Sequence, residues 1–370
     1  MVQNQLKQNS QNLTKAGKTS TTELENTKTN RKRNIKLKEI KDQVIVITGA
    51  SSGIGLVTAR KAAAQGAKLV LAARNGEALQ QLVEELREEG HSAIYVKADV
   101  GKEEDVKNLA EAAKSEYGRF DTWVNNAGVS IYGHAMDVST EDMQRMFETN
   151  FWGVVYGSKA AVEHFKERGV PGALINVGSL FGGRGTVLQS TYSASKFAVH
   201  GWTDNLRMEL EKENAPVSVT LIHPGRIDTP YNEHARSYLD KQPTHKGMIY
   251  PPDAVAESIL YAAANPKRDM YIGSQAKLFE LVGALFPRFT DKLAEWYLYP
   301  TQHDNRPSNS TEESSLYHKG YGLHERGTNH GWMRSNSMYV KASKRPMLTL
   351  ALVGGAALAC SSMKKKKINR

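Results

Sequence analysis

Val44-Ile45-Val46-Ile47-Thr48-Gly49-Ala50-Ser51-Ser52-Gly53-Ile54-Gly55 is a β-branched run that passes at once into a turn with three glycines, and a helix-like stretch follows to about Gln65. A short apolar run without polar alternation reads as a buried strand. Glycines at 49, 53 and 55 remove Cβ atoms where the chain turns tightly and its backbone approaches a ligand. The helix beyond offers N–H groups and a positive dipole end to a phosphate. Strand, glycine turn and helix in this order predict a dinucleotide site. Thr48, Gly49, Ser51, Ser52, Gly53, Ile54 and Gly55 are expected to surround the pyrophosphate.

Working outward, a second strand over Lys68–Ala72 ends in Ala73 and Arg74, where an NAD-specific site would hold a carboxylate against the ribose 2′-hydroxyl. No acid stands there. Ala73 removes the repulsion that a 2′-phosphate would meet, and Arg74 can pair with it through a charged fork, so NADP(H) is expected over NAD(H). Ser52 sits where a base would strengthen that preference. A third strand, Ala93–Ala98, ends in Asp99-Val100, with Asp99 also suited to cap the next helix. Further strands lead into Asn125-Asn126-Ala127-Gly128, into Ser179 after Gly172–Val177, and into His223-Pro224-Gly225 after Val217–Ile222. Helical periodicity marks 75–89 and 102–117. The expected fold is α/β, a Rossmann-type doubly wound parallel sheet, in a single domain with flexible N-terminal and C-terminal extensions.

Tyr192-Ser193-Ala194-Ser195-Lys196 is the expected centre of the chemistry. A four-residue spacing puts the phenol and the ammonium on one helix face. A phenol with an ordinary pKa near ~10 is a poor proton donor or acceptor at neutral pH, and a fixed cation beside it favours the phenolate. The pair alone is common on surface helices. The glycine turn, Asn125–Gly128, Asn150, Ser179 and this pair, in this order, resemble the short-chain dehydrogenase/reductase family from about Lys41 to Gly273.

The resemblance implies a catalytic set of Asn150, Ser179, Tyr192 and Lys196, with Tyr192 as acid/base, Ser179 on the substrate oxygen and Asn150 holding a water that links Lys196 to solvent. It implies cofactor contacts from Arg74, Asp99, Val100, Asn126, Ala127, Gly128, Pro224, Gly225 and Thr229, and from Tyr192 and Lys196 themselves. Asn126 is further expected to stabilise the central sheet. No metal ligands are assigned. The implied function is NADP(H)-dependent interconversion of a carbonyl and an alcohol. An NADP(H)-binding sensor without turnover, or a membrane-attached scaffold, is the alternative. Family members are often dimers or tetramers, so a homodimer or homotetramer is expected.

Residues 226–250 hold Tyr231, His234, Tyr238, His245 and Tyr250 and are expected to cover a small apolar carbonyl or alcohol substrate. His223 is expected to be structural. The apolar stretch 276–299 is compatible with core packing, a subunit interface or a lipid surface.

The chain has 370 residues and a net charge of +10, but residues 1–41 carry ten Lys or Arg against three Asp or Glu, and residues 301–370 carry twelve against four. The remainder is net acidic, which excludes a basic nucleic-acid surface on the folded part. Cys360 is the single cysteine, as suits a cytoplasmic catalytic domain without disulfides. Residues 1–40 are expected to be a disordered basic extension, 41–300 the catalytic domain and 301–346 a polar linker. Residues 347–363 form an uncharged apolar segment, and 364–370 a basic tail. A membrane anchor, a helix on another subunit and a helix at a lipid surface all remain open for 347–363.

Overall fold

The computed structural model describes residues 35–308, 314–329, 331–334 and 340. The expectations placed on residues 1–34, 347–363 and 364–370 lie outside the described residues.

Seven strands make one parallel sheet: β1 Val44–Thr48, β2 Lys68–Ala73, β3 Ala93–Lys97, β4 Thr122–Asn125, β5 Gly172–Val177, β6 Val217–Pro224 and β7 Asp269–Ile272. Their order is β7-β6-β5-β4-β1-β2-β3, with Val46 opposite Val70 on one side and Trp123 on the other. Winding therefore reverses between β1 and β4, and a doubly wound sheet opens its ligand crevice beyond the carboxyl ends of those strands. Every residue of β1, β5 and β6 is buried. That burial on both faces is why these runs lack polar alternation.

Helices cover both faces. On one, α1 Gly53–Ala64, α2 Gly76–Glu88 and, later in the chain, Pro252–Ala264 pack Leu56, Leu79 and Ile259 against Ile45, Ile47 and Leu71. On the other, α3 Glu103–Tyr117 sends Leu109 against Val46, Val70 and Trp123. After α4 Thr140–Phe147, α5 Gly153–Arg168 and α6 Ser190–Lys212 complete that side with Phe165 and Leu210. Alternate residues of β1 thus feed opposite cores, as the two-residue strand period requires. The Pro252–Ala264 helix is α7.

α4 stops at Phe147, and a π-helical turn, Glu148–Trp152, joins it to α5. Two expectations need correction. The domain begins before residue 41, because Leu37 and Ile40 are buried and Lys38 Nζ pairs with Asp121 at 2.8 Å. The described part of 301–346 is docked on the domain and does not act as a linker. His303–Pro307 pairs with Lys241–Pro243, Trp332–Met333 pairs with Met248–Ile249, and residues 314–325 cross the carboxyl end of the sheet. Main-chain hydrogen bonds hold much of this segment, so its polar composition did not reveal the docking.

The apolar stretch forms α8 Ser274–Leu285 and α9 Pro287–Leu293. Leu278, Val282 and Phe289 enclose, with Leu180, Phe181 and Met248, an apolar cavity of about 400 Å³. Leu281, Leu285, Phe286 and Trp296 remain exposed. Among the described residues, no helix is long and apolar enough to cross a membrane.

Candidate active site

The crevice at the switch point holds two adjoining cavities. The first, about 190 Å³, runs from the glycine turn to Arg74, Asp99 and Val100. The second, about 120 Å³, is walled by Ser179, Tyr192, Lys196, Pro224 and Gly225. Ile54, Asn126, Gly128, Thr229 and Tyr231 border both. Every residue expected around a dinucleotide therefore lies at this crevice or supports it.

Thr48 is a supporting residue. Its Oγ1 accepts from the Asn126 and Ala127 amides at 3.0 and 3.2 Å and donates to Val124 O, while Asn126 Nδ2 donates to Thr48 O and Gly49 O. The ends of β1 and β4 thus form one hydrogen-bonded unit. A Cβ at Gly49 would come within 2.8 Å of Ala127 Cα, and one at Gly55 within 2.1 Å of Gly49 O. Only a side-chain-free backbone closes this cradle, as close approach of a pyrophosphate to the main chain requires. One helix-start donor is already used: Gly53 N–H donates to His324 O at 2.9 Å.

Asn125, one residue earlier, ties the sheet itself, donating to Asn176 Oδ1 at 2.9 Å and accepting from Trp123 Nε1. The sheet-stabilising role expected of Asn126 is thus shared with Asn125, whose buried amide the sequence reading passed over.

At the adenosine end, Arg74 donates to Leu316 O at 3.2 Å and to Ser315 O. Burial holds its pKa below the ordinary arginine value. Asp99 pairs with Arg145 at 2.5 Å and accepts from Gly101 N–H. It does not cap α3, which starts at Glu103 after Lys102.

At the other end, Tyr192 and Lys196 share one face of α6, with Nζ 5.8 Å from the phenol ring centre. Lys196 Nζ donates to Val177 O at 2.9 Å, and burial pulls its pKa down to about 8. The phenol departs from expectation. Burial raises the Tyr192 pKa, and the neighbouring Ser179 and Tyr231 hydroxyls only partly oppose that rise. In the protein alone, desolvation outweighs the charge of Lys196, so Tyr192 is held as a neutral proton donor.

Asn150 sits in the π turn, fully buried. Its Oδ1 accepts from Val129 N–H at 2.8 Å, and its Nδ2 donates to Val129 O and Ser195 Oγ. A water-holding role has only the second Oδ1 lone pair and the main chain left to it.

Tyr231 and His245, expected over a substrate, line this cavity, whereas Gln189 beside them and His200 nearby were not singled out. Tyr231 meets Tyr192 edge to face, and Gln189 Nε2 donates to the Tyr231 hydroxyl at 3.1 Å. His245 lines the same cavity, its pKa lowered to about 3 by burial. His245 Nδ1 and Gln189 Oε1 are buried without a hydrogen-bond partner among the described residues. His200 follows Lys196 by four positions, a spacing that could have flagged it, and accepts weakly from Ser179 N–H at 3.4 Å. His223 pairs with Asp269 at 3.0 Å and stacks on Tyr271, away from the phenol. Of the remaining aromatics in 226–250, Tyr238 bonds Asp142 and Tyr250 lies in the core, so neither covers a substrate.

A glycine cradle at a switch point, continuous with a Ser–Tyr–Lys cavity, defines a dinucleotide-binding α/β oxidoreductase. A family model described as short chain dehydrogenase matches residues 43–240. Uncharacterized oxidoreductase YxnA of Bacillus subtilis (strain 168) is 70% identical over 338 residues, covering 91% of this chain and 95% of that protein. Uncharacterized oxidoreductase SAR2567 of Staphylococcus aureus (strain MRSA252) is 36% identical over 226 residues, 61% of this chain and 93% of that protein. A short chain dehydrogenase/reductase from Burkholderia phymatum, solved in complex with NAD, is similar with a TM-score of 0.60 and 28% identity, covering 67% of this chain and 96% of that one. The chain belongs to the short chain dehydrogenase family, whose members bind a nicotinamide cofactor.

Proposed function

We propose that this protein is an NADP(H)-dependent oxidoreductase that interconverts a ketone or aldehyde with its alcohol, using Tyr192 as acid/base. One observation carries the reading: Ser179, Tyr192 and Lys196 wall one cavity that adjoins the glycine turn, with Tyr231 packed against the Tyr192 ring. When bound, the nicotinamide supplies or accepts the hydride. Thr48 and the glycine turn would position the pyrophosphate, and Lys196 and Tyr192 the nicotinamide ribose.

In the reductive direction, Ser179 Oγ donates to the substrate oxygen and Tyr192 delivers its proton to that oxygen as charge develops there. A raised pKa keeps the phenol protonated at neutral pH, as a donor must be. The Lys196 ammonium offsets the phenolate left behind. Oxidation runs the same proton back to Tyr192. Asn150 holds the π turn and Ser195 behind the site.

Arg74 with Ala73 before it, and no carboxylate paired with Arg74 among the described residues, supports NADP(H) over NAD(H). The Burkholderia relative's NAD belongs to that protein and leaves this preference to be measured. The substrate that suits the second cavity has an apolar body and a few polar contacts, the latter to Gln189 and His245. Full-length protein should oxidise NADPH with members of an aldehyde and ketone panel, and do so at least about tenfold more efficiently than NADH. Equal efficiency with both cofactors removes the preference, and tight cofactor binding with no turnover across the panel counts against the reaction.

A further inference from the structure

Arg74 is a half-buried cation held by neutral groups. Its two nitrogens reach the carbonyls of Ser315 and Leu316, while the nearby Asp99 is occupied by Arg145 at 2.5 Å. Carbonyl dipoles hold a guanidinium in place without cancelling its charge, so this wall of the cavity remains electropositive. A bound anion would supply the missing compensation.

The carbonyls come from an unexpected place. Residues 314–325 lie across the adenosine end of the crevice as a strap. Leu323 N–H donates to Ser51 O at 2.8 Å, His324 O accepts from Gly53 N–H, and Asn75 Nδ2 donates to Gly320 O at 2.9 Å. Leu323 takes a φ of +61°, a left-handed conformation costly for leucine that only firm anchoring sustains. The strap thereby joins the glycine turn to the end of β2, and it carries one more cation to the cavity wall. Lys319 borders the same cavity as Arg74, with its Nζ 2.8 Å from Glu77 at the first turn of α2. Both partners of that pair are exposed, at 51% and 81%, so solvent screens their attraction and Lys319 can leave Glu77 for a more highly charged partner.

We propose that Lys319, delivered by the strap, is a second cation for the 2′-phosphate of the cofactor, alongside Arg74. Cofactor specificity is then divided between the Rossmann turn and the C-terminal extension. The inference rests on the NADP(H) reading above and adds to it a residue far outside the glycine-turn region. Glu77 acts as a placeholder that keeps Lys319 at the rim when no phosphate is bound.

The test uses the full chain and two ligands that differ by one group, adenosine 2′,5′-bisphosphate and adenosine 5′-monophosphate, titrated by calorimetry. Lys319→Ala should weaken the bisphosphate about five- to tenfold and leave the monophosphate unchanged, the loss expected for one charge-assisted contact. Lys319→Arg should restore most of the affinity, and Glu77→Gln should strengthen bisphosphate binding. Equal losses for both ligands, or no loss for either, overturn the role of Lys319 while leaving the wild-type preference for bisphosphate intact. Wild-type protein with no such preference overturns the NADP(H) reading itself, and the inference with it.

Discussion

Tyr231 meets Tyr192 edge to face with ring centroids 5.5 Å apart, and its hydroxyl opposes the burial that raises the Tyr192 pKa. The hydroxyls of Tyr231 and Ser179 both favour phenolate and only partly offset that burial. Gln189 fixes the second tyrosine in turn.

Tyr231→Phe removes one of the two opposing hydroxyls and should push the Tyr192 pKa higher still. Alcohol oxidation needs phenolate, so its rate should fall about tenfold at neutral pH, with the rising limb of its pH profile moved to higher pH. Carbonyl reduction needs the neutral phenol and should lose less. Paired pH–rate profiles in the two directions check this, and parallel losses with unshifted limbs would contradict it.

Lys196 is a functional group held at a cost to folding. Burial brings its pKa from the ordinary 10.5 to about 8, so the unfolded chain binds more protons between those values and stability rises with pH across that window. Below about pH 8 both states are protonated and the penalty is present in full. Lys196→Met removes the buried charge but orphans Val177 O, for a net gain of about 1–2 kcal/mol at neutral pH. Calorimetry of the cofactor-free protein should show a Tm higher by ~2–6 °C at pH 7, a gain that shrinks toward pH 10, together with loss of activity.

Two glycine substitutions should separate the cradle from ordinary helix. Gly55→Ala drives a Cβ into Gly49 O and Asn126 Nδ2, and should cost about 1–3 kcal/mol and most of the cofactor affinity. Gly201 lies within α6 with open space where a Cβ would sit, so Gly201→Ala should stabilise by about 0.5–1 kcal/mol with binding unchanged. Denaturant unfolding and cofactor titration of both variants check the contrast.

The sheet and the cradle were legible because they rest on local signals. β1 is β-branched throughout since both its faces are buried, and Gly49 and Gly55 stand where any Cβ would strike the chain. Tyr192 and Lys196 were legible through helical spacing. The sign of the Tyr192 shift was not, because it depends on burial beneath elements distant in sequence. The strap was missed for a related reason: it reaches Arg74, Ser51 and Gly53 with its own main chain, and backbone groups are the same whatever the residue. Asn150 illustrates both cases. A buried amide in an apolar stretch was visible, whereas the π turn that aims it at Val129 and Ser195 was not.

Deuterium tracing most directly tests the central claim that Tyr192 protonates a carbonyl oxygen while hydride reaches its carbon. Wild-type protein, Tyr192→Phe and a responsive ketone are incubated with NADPH deuterated at the transferable position, and the alcohol is analysed by mass spectrometry and NMR. Deuterium should appear at the carbinol carbon with wild type. Tyr192→Phe should slow that transfer about 10²–10⁴-fold while binding NADPH with near-normal affinity. Cofactor oxidation that leaves the carbinol carbon unlabelled, or a Tyr192→Phe variant as fast as wild type, would contradict the account.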